Sequence, residues 1–213
     1  GDLLMYPEGD RSVPPSGRMP AGGYYFDSII RQPPLDEEKL DPRDNLEEFG
    51  PISDADLDHF ARGAQRLWGE TDKAVLANFG GTAFGDIALV PAPWLKHPRG
   101  IRDVAEWYIS TASRRDYVWA VFERQCEIAL QNLARIHERV GERVTAVYVT
   151  GTDFGTQNGP FISPRAYRQL FQPFHKQVND WIHRHTTWKS FIHSCGSVIS
   201  LMPDFIEAGF DIL

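Results

Sequence analysis

From residue 74 onward the chain alternates short apolar runs with amphipathic helices, and that alternation leaves it few folds. Ala74-Val75-Leu76-Ala77-Asn78-Phe79-Gly80-Gly81 is a short apolar run closed by glycines, the pattern of a buried strand entering a turn. Thr145 to Thr150 is β-branched and aromatic, Lys189 to His193 repeats the pattern, and Phe210 to Leu213 starts another strand. Between them lie helical stretches. A region from about Ile101 to Val140, broken near Ser113, places Phe122, Cys126, Ala129, Leu133, Ile136 and Val140 on one stripe, with Gly141 suited to the C-terminal cap. Ser163-Pro164 reads as N-cap and first helical position of a helix that Pro173 kinks, with Tyr167, Leu170, Phe171, Phe174, Val178, Trp181 and Ile182 on its buried face. A last helix carries Val198, Leu201, Met202, Phe205 and Ile206 and ends at Gly209. A β-α-β-α-β-α-β order demands a parallel sheet with helices outside, either an open doubly wound sheet or a (β/α)8 barrel.

The residues before 74 are of another kind. Of the fifteen prolines, eight lie in the first 51 residues, where they fix φ and remove backbone donors, so this stretch is read mostly as loop. Leu3-Leu4-Met5-Tyr6 is one candidate strand, and Gly22-Gly23-Tyr24-Tyr25-Phe26 is another or a hairpin arm. Ser53 caps a helix running to about Thr71, with Leu57, Phe60, Ala61, Ala64, Leu67 and Trp68 at helical spacing.

In either parallel architecture ligands bind at the carboxyl ends of the strands. Three such ends carry polar chemistry: Asn78-Phe79-Gly80-Gly81-Thr82, Thr150-Gly151-Thr152-Asp153 with Gln157 behind it, and His193-Ser194-Cys195-Gly196. In an extended segment residues i and i+2 share a face, so His193 and Cys195 can both aim into one cavity as a zinc-type ligand pair. The alternative is a small buried thiol beside a satisfied histidine. Asp153 is a third ligand, a general base or a hydrogen-bond acceptor for substrate, or else an acid that holds its own turn. Asn78 orients a polar substrate or serves ordinary turn chemistry, and Asp86 reads as a loop cap. His175, His183 and His185 are expected on a solvated face, since 183 and 185 lie about 200 degrees apart on a helix. Arg114 and Arg115 are read as an exposed pair, and Cys126 as inert.

Composition excludes several classes. With 29 acidic against 22 basic side chains the formal charge is -7, which opposes nucleic-acid binding. No run approaches the length of a membrane span, and residues 1 to 20 lack a basic n-region followed by an apolar h-region. Two cysteines are too few for a disulfide scaffold and fit a reducing, cytoplasmic location.

The stretch from Gly151-Thr-Asp-Phe-Gly-Thr-Gln through Ser163-Pro-Arg-Ala-Tyr167 to Pro173-Phe-His175, then Phe191-Ile-His-Ser-Cys-Gly-Ser197 and Pro203-Asp-Phe-Ile-Glu-Ala-Gly-Phe-Asp-Ile-Leu213, resembles the uroporphyrinogen decarboxylase superfamily. More narrowly it is similar to the branch of corrinoid (cobalamin)-dependent methyltransferases, most clearly over residues 145 to 213. The resemblance implies a (β/α)8 TIM barrel. It also implies zinc on His193 and Cys195, completed by a second cysteine expected beyond Leu213, and a small-molecule reaction in which a thiolate attacks the methyl group of a corrinoid, with a corrinoid protein as the implied partner. Two alternatives stand beside it. One is metal-independent uroporphyrinogen decarboxylation, whose catalytic Tyr has no match between Asn78 and Trp94; the other is a barrel that binds a corrinoid or tetrapyrrole without catalysis. Four strands are read where a barrel takes eight and roughly 250 residues. Residues 1–213 are accordingly expected to be part of a single barrel domain, incomplete at both ends, with a Pro-rich loop insertion at about 7–52.

Overall fold

The computed structural model describes residues 1–80, 86 and 89–213. The N-terminal segment folds into an antiparallel meander, β1 (Leu3–Met5), β2 (Gly17–Met19) and β3 (Asp27–Ser28), with Leu3 opposite Met19 and Gly17 opposite Ser28. The strand expected over Gly22 to Phe26 is absent. Pro20 accepts from the Gly23 N–H across a tight turn, Gly22 takes φ +80, and the aromatics that suggested a strand stand in solvent, Tyr24 being 94% exposed.

Two short 3-10 turns, Glu37–Lys39 and Pro42–Leu46, are capped by Asp36 and Asp41. The Pro-rich segment is then stitched to the body by polar side chains. Asn45 exchanges two 2.8 Å hydrogen bonds with the backbone of Ile101, and Arg102, only 1% exposed, meets Glu48 at 2.7 and 3.1 Å. The Asp44 and Arg99 carbonyls accept from the same guanidinium, so the buried charge is paired and hydrogen-bonded rather than stranded.

Helix α1 (Asp54–Glu70) starts where the sequence places it, with Ser53 Oγ accepting the Asp56 N–H at 3.1 Å. Leu57 and Ala64 are buried, whereas Leu67 and Trp68 are exposed, because the cover over α1 ends after Ala64. After β4 (Leu76–Ala77) come α2 (Val104–Ser113) and α3 (Arg115–Val140), broken at Arg114, which closes onto Glu37 and Glu106. All six residues of the α3 stripe are buried, and Gly141 ends the helix at φ +60. β5 (Ala146–Thr150), α4 (Pro164–Leu170), α5 (Gln172–His185), β6 (Lys189–Ile192), a 3-10 turn (Ile199–Leu201) and α6 (Met202–Glu207) follow.

β4, β5 and β6 form a parallel sheet in consecutive order, with Leu76 beside Ala146 and Ala146 beside Lys189, and Ile212 bridges Phe191 in the same sense. Consecutive order is common to a barrel and to one half of a doubly wound sheet. Val147, Val149 and Ile192 join the core with the apolar faces of α3, α4 and α5. Leu76 and Ile212 stay largely exposed, as does Ile206 of α6. Among the described residues no helix is long and apolar enough to cross a membrane.

The histidines of the kinked helix divide. His183 pairs with Asp211 at 2.7 Å and His185 stacks on Trp181, both at the surface. His175, expected on the solvated face, is instead fully buried, one turn beyond Phe171 and ringed by Phe154, Phe171 and Phe210. Its Nδ1 lies 3.0 Å from the Tyr167 hydroxyl, and burial pushes its pKa down to about 3. An unfolded histidine titrates near 6.5, so the neutral folded form contributes stability above that pH that is lost as pH falls from about 6.5 toward 3. Thermal melts at pH 7.5 and 4.5 are expected to show an acid loss of stability that His175→Phe diminishes; equal losses in both proteins would place the acid sensitivity elsewhere.

Candidate functional site

β5 and β6 run side by side, so the turns that follow them, residues 151–155 and 193–197, leave the sheet as neighbours. His193 N–H donates to Thr150 C=O at 2.9 Å, Gly155 N–H to Cys195 C=O at 3.1 Å, and Ser197 N–H to Thr156 C=O at 2.7 Å. Phe154 N–H donates to Ser194 Oγ at 2.9 Å. Two glycines make this approach possible. A Cβ on Gly155 would lie 2.6 Å from the Cys195 carbonyl oxygen, and one on Gly196, at φ +82, would overlap the Gly155 backbone.

The docked turns bring three chemically distinct donors together. One ligand atom each from Asp153, His193 and Cys195 lies within 4.8 Å of the others. Cys195 Sγ is 3.3 Å from His193 Nε2, which is 3.7 Å from Asp153 Oδ1. Asp153 is fixed by accepting the Cys195 N–H on Oδ1 at 2.8 Å, and its own carbonyl accepts from the Tyr108 hydroxyl of α2 at 2.9 Å. His193 and Cys195 are exposed and Asp153 is half-buried, so the set opens to solvent. The Asp153 carboxylate thus accepts from the neighbouring turn rather than from its own, and lies beside His193 and Cys195.

The carboxylate sets the state of the thiol. Cys195 is held above the usual thiol range, first by the negative charge of Asp153 and then by its hydrogen bonding. Asp153→Asn is expected to lower that pKa, so alkylation of Cys195 by iodoacetamide at pH 8 becomes faster than in the parent. Cys126 does not interfere, since burial pushes its thiol up to about 12. An unchanged rate would remove Asp153 from control of the thiol.

The other sequence candidates fall outside this set. Asn78 is exposed and turned onto its own loop, its Oδ1 accepting the Gly80 N–H at 3.0 Å, which is the turn role. The remainder of that strand end, Gly81 and Thr82, lies outside the described residues, as do Phe84 and Gly85 beside Asp86. Arg114 and Arg115, read as an exposed pair, are instead half-buried: Arg115 bonds Gln169, and Arg114 is tied to two glutamates. Sequence reasoning missed Tyr108, Tyr148 and the position of Asp86, which approaches the backbone at Gly151. None has a local signature; each reaches the strand ends only through the packing of helix and sheet.

No protein-family model matches the chain, and no curated protein matches it in sequence. Among solved structures, a methyltransferase from Methanosarcina mazei shares its fold with a TM-score of 0.51 at 13% identity, over 87% of this chain and 47% of that one. The chain thus spans about half the length of that structure, and at this identity the likeness is one of fold.

Proposed function

We propose that this chain is part of a (β/α)8 barrel methyltransferase of the uroporphyrinogen decarboxylase type, in which His193, Cys195 and Asp153 hold zinc while a methyl group passes from a corrinoid to a thiol. The observation that carries this reading is the convergence of imidazole, thiol and carboxylate at the ends of adjacent parallel strands. The donor set suits the ion: nitrogen, sulfur and oxygen ligands are those zinc takes, and three protein ligands leave a position open. A fold shared with a methyltransferase lends further support.

When bound, zinc would supply Lewis acidity that favours the thiolate form of an incoming thiol. The chain's own residues prepare the place. The Cys195 N–H orients the Asp153 carboxylate, and the docking of the two turns fixes His193 and Cys195 relative to it. Tyr108 ties this assembly to α2 through the Asp153 carbonyl, so the donor set rests on three elements of the fold. Asp153 supplies a third donor from within the chain, where the resemblance expects a distant cysteine. Asn78, held in its turn, is given no part.

The decarboxylase alternative requires cationic side chains for a polyanionic tetrapyrrole, whereas the carboxylates of Asp86 and Asp153 both act on Tyr108 and Tyr148 at these strand ends. The test is metal content and turnover together. Protein purified under reducing conditions is expected to retain about one zinc per chain and to demethylate methylcobalamin only when a thiol is present, followed by the visible spectrum. Absence of zinc, or release of carbon dioxide from uroporphyrinogen, would overturn the reading.

A further inference from the structure

Helices α1 and α3 run side by side in the same direction, laced by ion pairs at a step of four residues. Arg135 meets Asp54 at 3.0 Å and Arg139 meets Asp58 at 2.6 Å. The next step along both falls on Arg62 and Arg143, so a cation stands on each side where an acid would continue the ladder. Both line a groove of about 440 Å³ together with Arg66, Arg139 and Glu70. This groove lies where α1 and α3 end, ahead of the amino ends of β4 and β5, whereas Asp153, His193 and Cys195 follow the carboxyl ends of β5 and β6.

The lining sets four arginines against one glutamate, in a chain whose formal charge is -7. Among the described residues Arg62 and Arg66 have no ion pair or hydrogen bond, and Arg143 donates to the Val140 carbonyl at 2.7 Å without meeting a carboxylate. Arg139 shares its charge with Asp58, which leaves three guanidiniums for a ligand. Arg62 and Arg66 also stand four apart on α1, a like-charge spacing that disfavours the helix unless a counter-ion lies between them.

We propose that this groove binds a soluble phosphate-type polyanion of the pyrophosphate class, which bridges Arg62 and Arg66 of α1 to Arg143 beyond the end of α3. Guanidinium forks take phosphate oxygens two at a time, and cations on two walls suit a ligand whose adjacent phosphates each present terminal oxygens. The volume falls within the range of small-ligand sites. None of these residues belongs to the metal-type donor set, so the site stands independently of the methyl-transfer reading.

Calorimetric titration of the full chain with inorganic pyrophosphate is expected to show saturable binding, about tenfold tighter than that of inorganic phosphate at low ionic strength and weaker as salt is added. Arg62→Gln and Arg66→Gln are each expected to weaken it about tenfold. Arg184→Gln, which removes a surface cation paired with Asp180 on α5, and His193→Ala at the other end of the strands should leave it unchanged. Arg62 and Arg66 are exposed, so the melting temperature of the unliganded variants should hold, while pyrophosphate raises that of the parent and raises theirs less. Absence of saturable binding, affinity that survives both groove substitutions, or an equal loss in Arg184→Gln or His193→Ala would each overturn the proposal. Cosedimentation with phosphatidylcholine vesicles containing phosphatidylinositol phosphate separates a lipid headgroup from a soluble ligand. Capture by those vesicles without binding of pyrophosphate would overturn it as well.

Discussion

Gly196→Ala is expected to lower the melting temperature by roughly 6 to 16 °C and to abolish metal uptake at the strand ends. The left-handed φ of +82 costs a residue with a Cβ about 1 to 2 kcal/mol. The larger part is steric. The new methyl group would overlap the Gly155 backbone and come within 2.7 Å of the Thr156 carbonyl oxygen. Backbone cannot swing aside as a flexible side chain does, so the two turns must separate. Separation breaks the bonds from Gly155 N–H to Cys195 C=O and from Ser197 N–H to Thr156 C=O, each worth about 1 kcal/mol. The total is about 3 to 4 kcal/mol, and a domain of this size loses roughly 2 to 4 °C per kcal/mol. Gly159→Ala is the control: its Cβ would meet nothing within 4 Å, and its φ is not positive, so its effect should stay within about 0.5 kcal/mol. Differential scanning calorimetry of the two variants decides the matter, and equal melting temperatures would mean that the turns are not docked as described.

The second large effect is on metal rather than stability. His193→Ala and Cys195→Ala are each expected to weaken zinc binding by about a thousandfold, since ligand sets of this kind draw several kcal/mol from each member. Competition against a chromophoric chelator measures that loss. Both side chains are exposed, so the melting temperature of the metal-free protein should scarcely move. Asp153→Asn should fall between these variants and the parent, because an amide oxygen remains available without its charge. Undiminished affinity in either alanine variant would remove that residue from the ligand set and with it the proposed chemistry.

The helices and their caps were readable because their determinants are local. Ser53 and Ser163 cap through side chains three residues from the N–H they accept, and the α3 stripe repeats at the helical period. Expectations failed where a partner element decided the outcome. The aromatics at Tyr24 to Phe26 have the composition of a strand, yet the pairing partners of β2 are Leu3–Met5 and Asp27–Ser28. Leu67 and Trp68 keep the helical spacing of α1 after the cover over that helix has ended. His175 falls on the Phe171, Phe174, Val178, Ile182 stripe, a register that sets it apart from His183 and His185 at the surface. At the strand ends, the proximity of His193 and Cys195 was legible from their i, i+2 spacing. Asp153 was legible as one of two readings, and Asp86 with the two tyrosines was not, because a contact between a loop, a helix and a strand end leaves no mark along the chain.

The docked glycines also limit how these loops can vary. Loops at strand ends ordinarily diverge by insertion, but here neither turn can gain a residue or a side chain at the Gly155–Gly196 contact without displacing the other. Diversification is channelled instead into Gln157 and Asn158, which are exposed, and Gly159, around which there is open space. That short stretch, beside the donor set yet free of its packing, is where a library aimed at altered specificity has room to work.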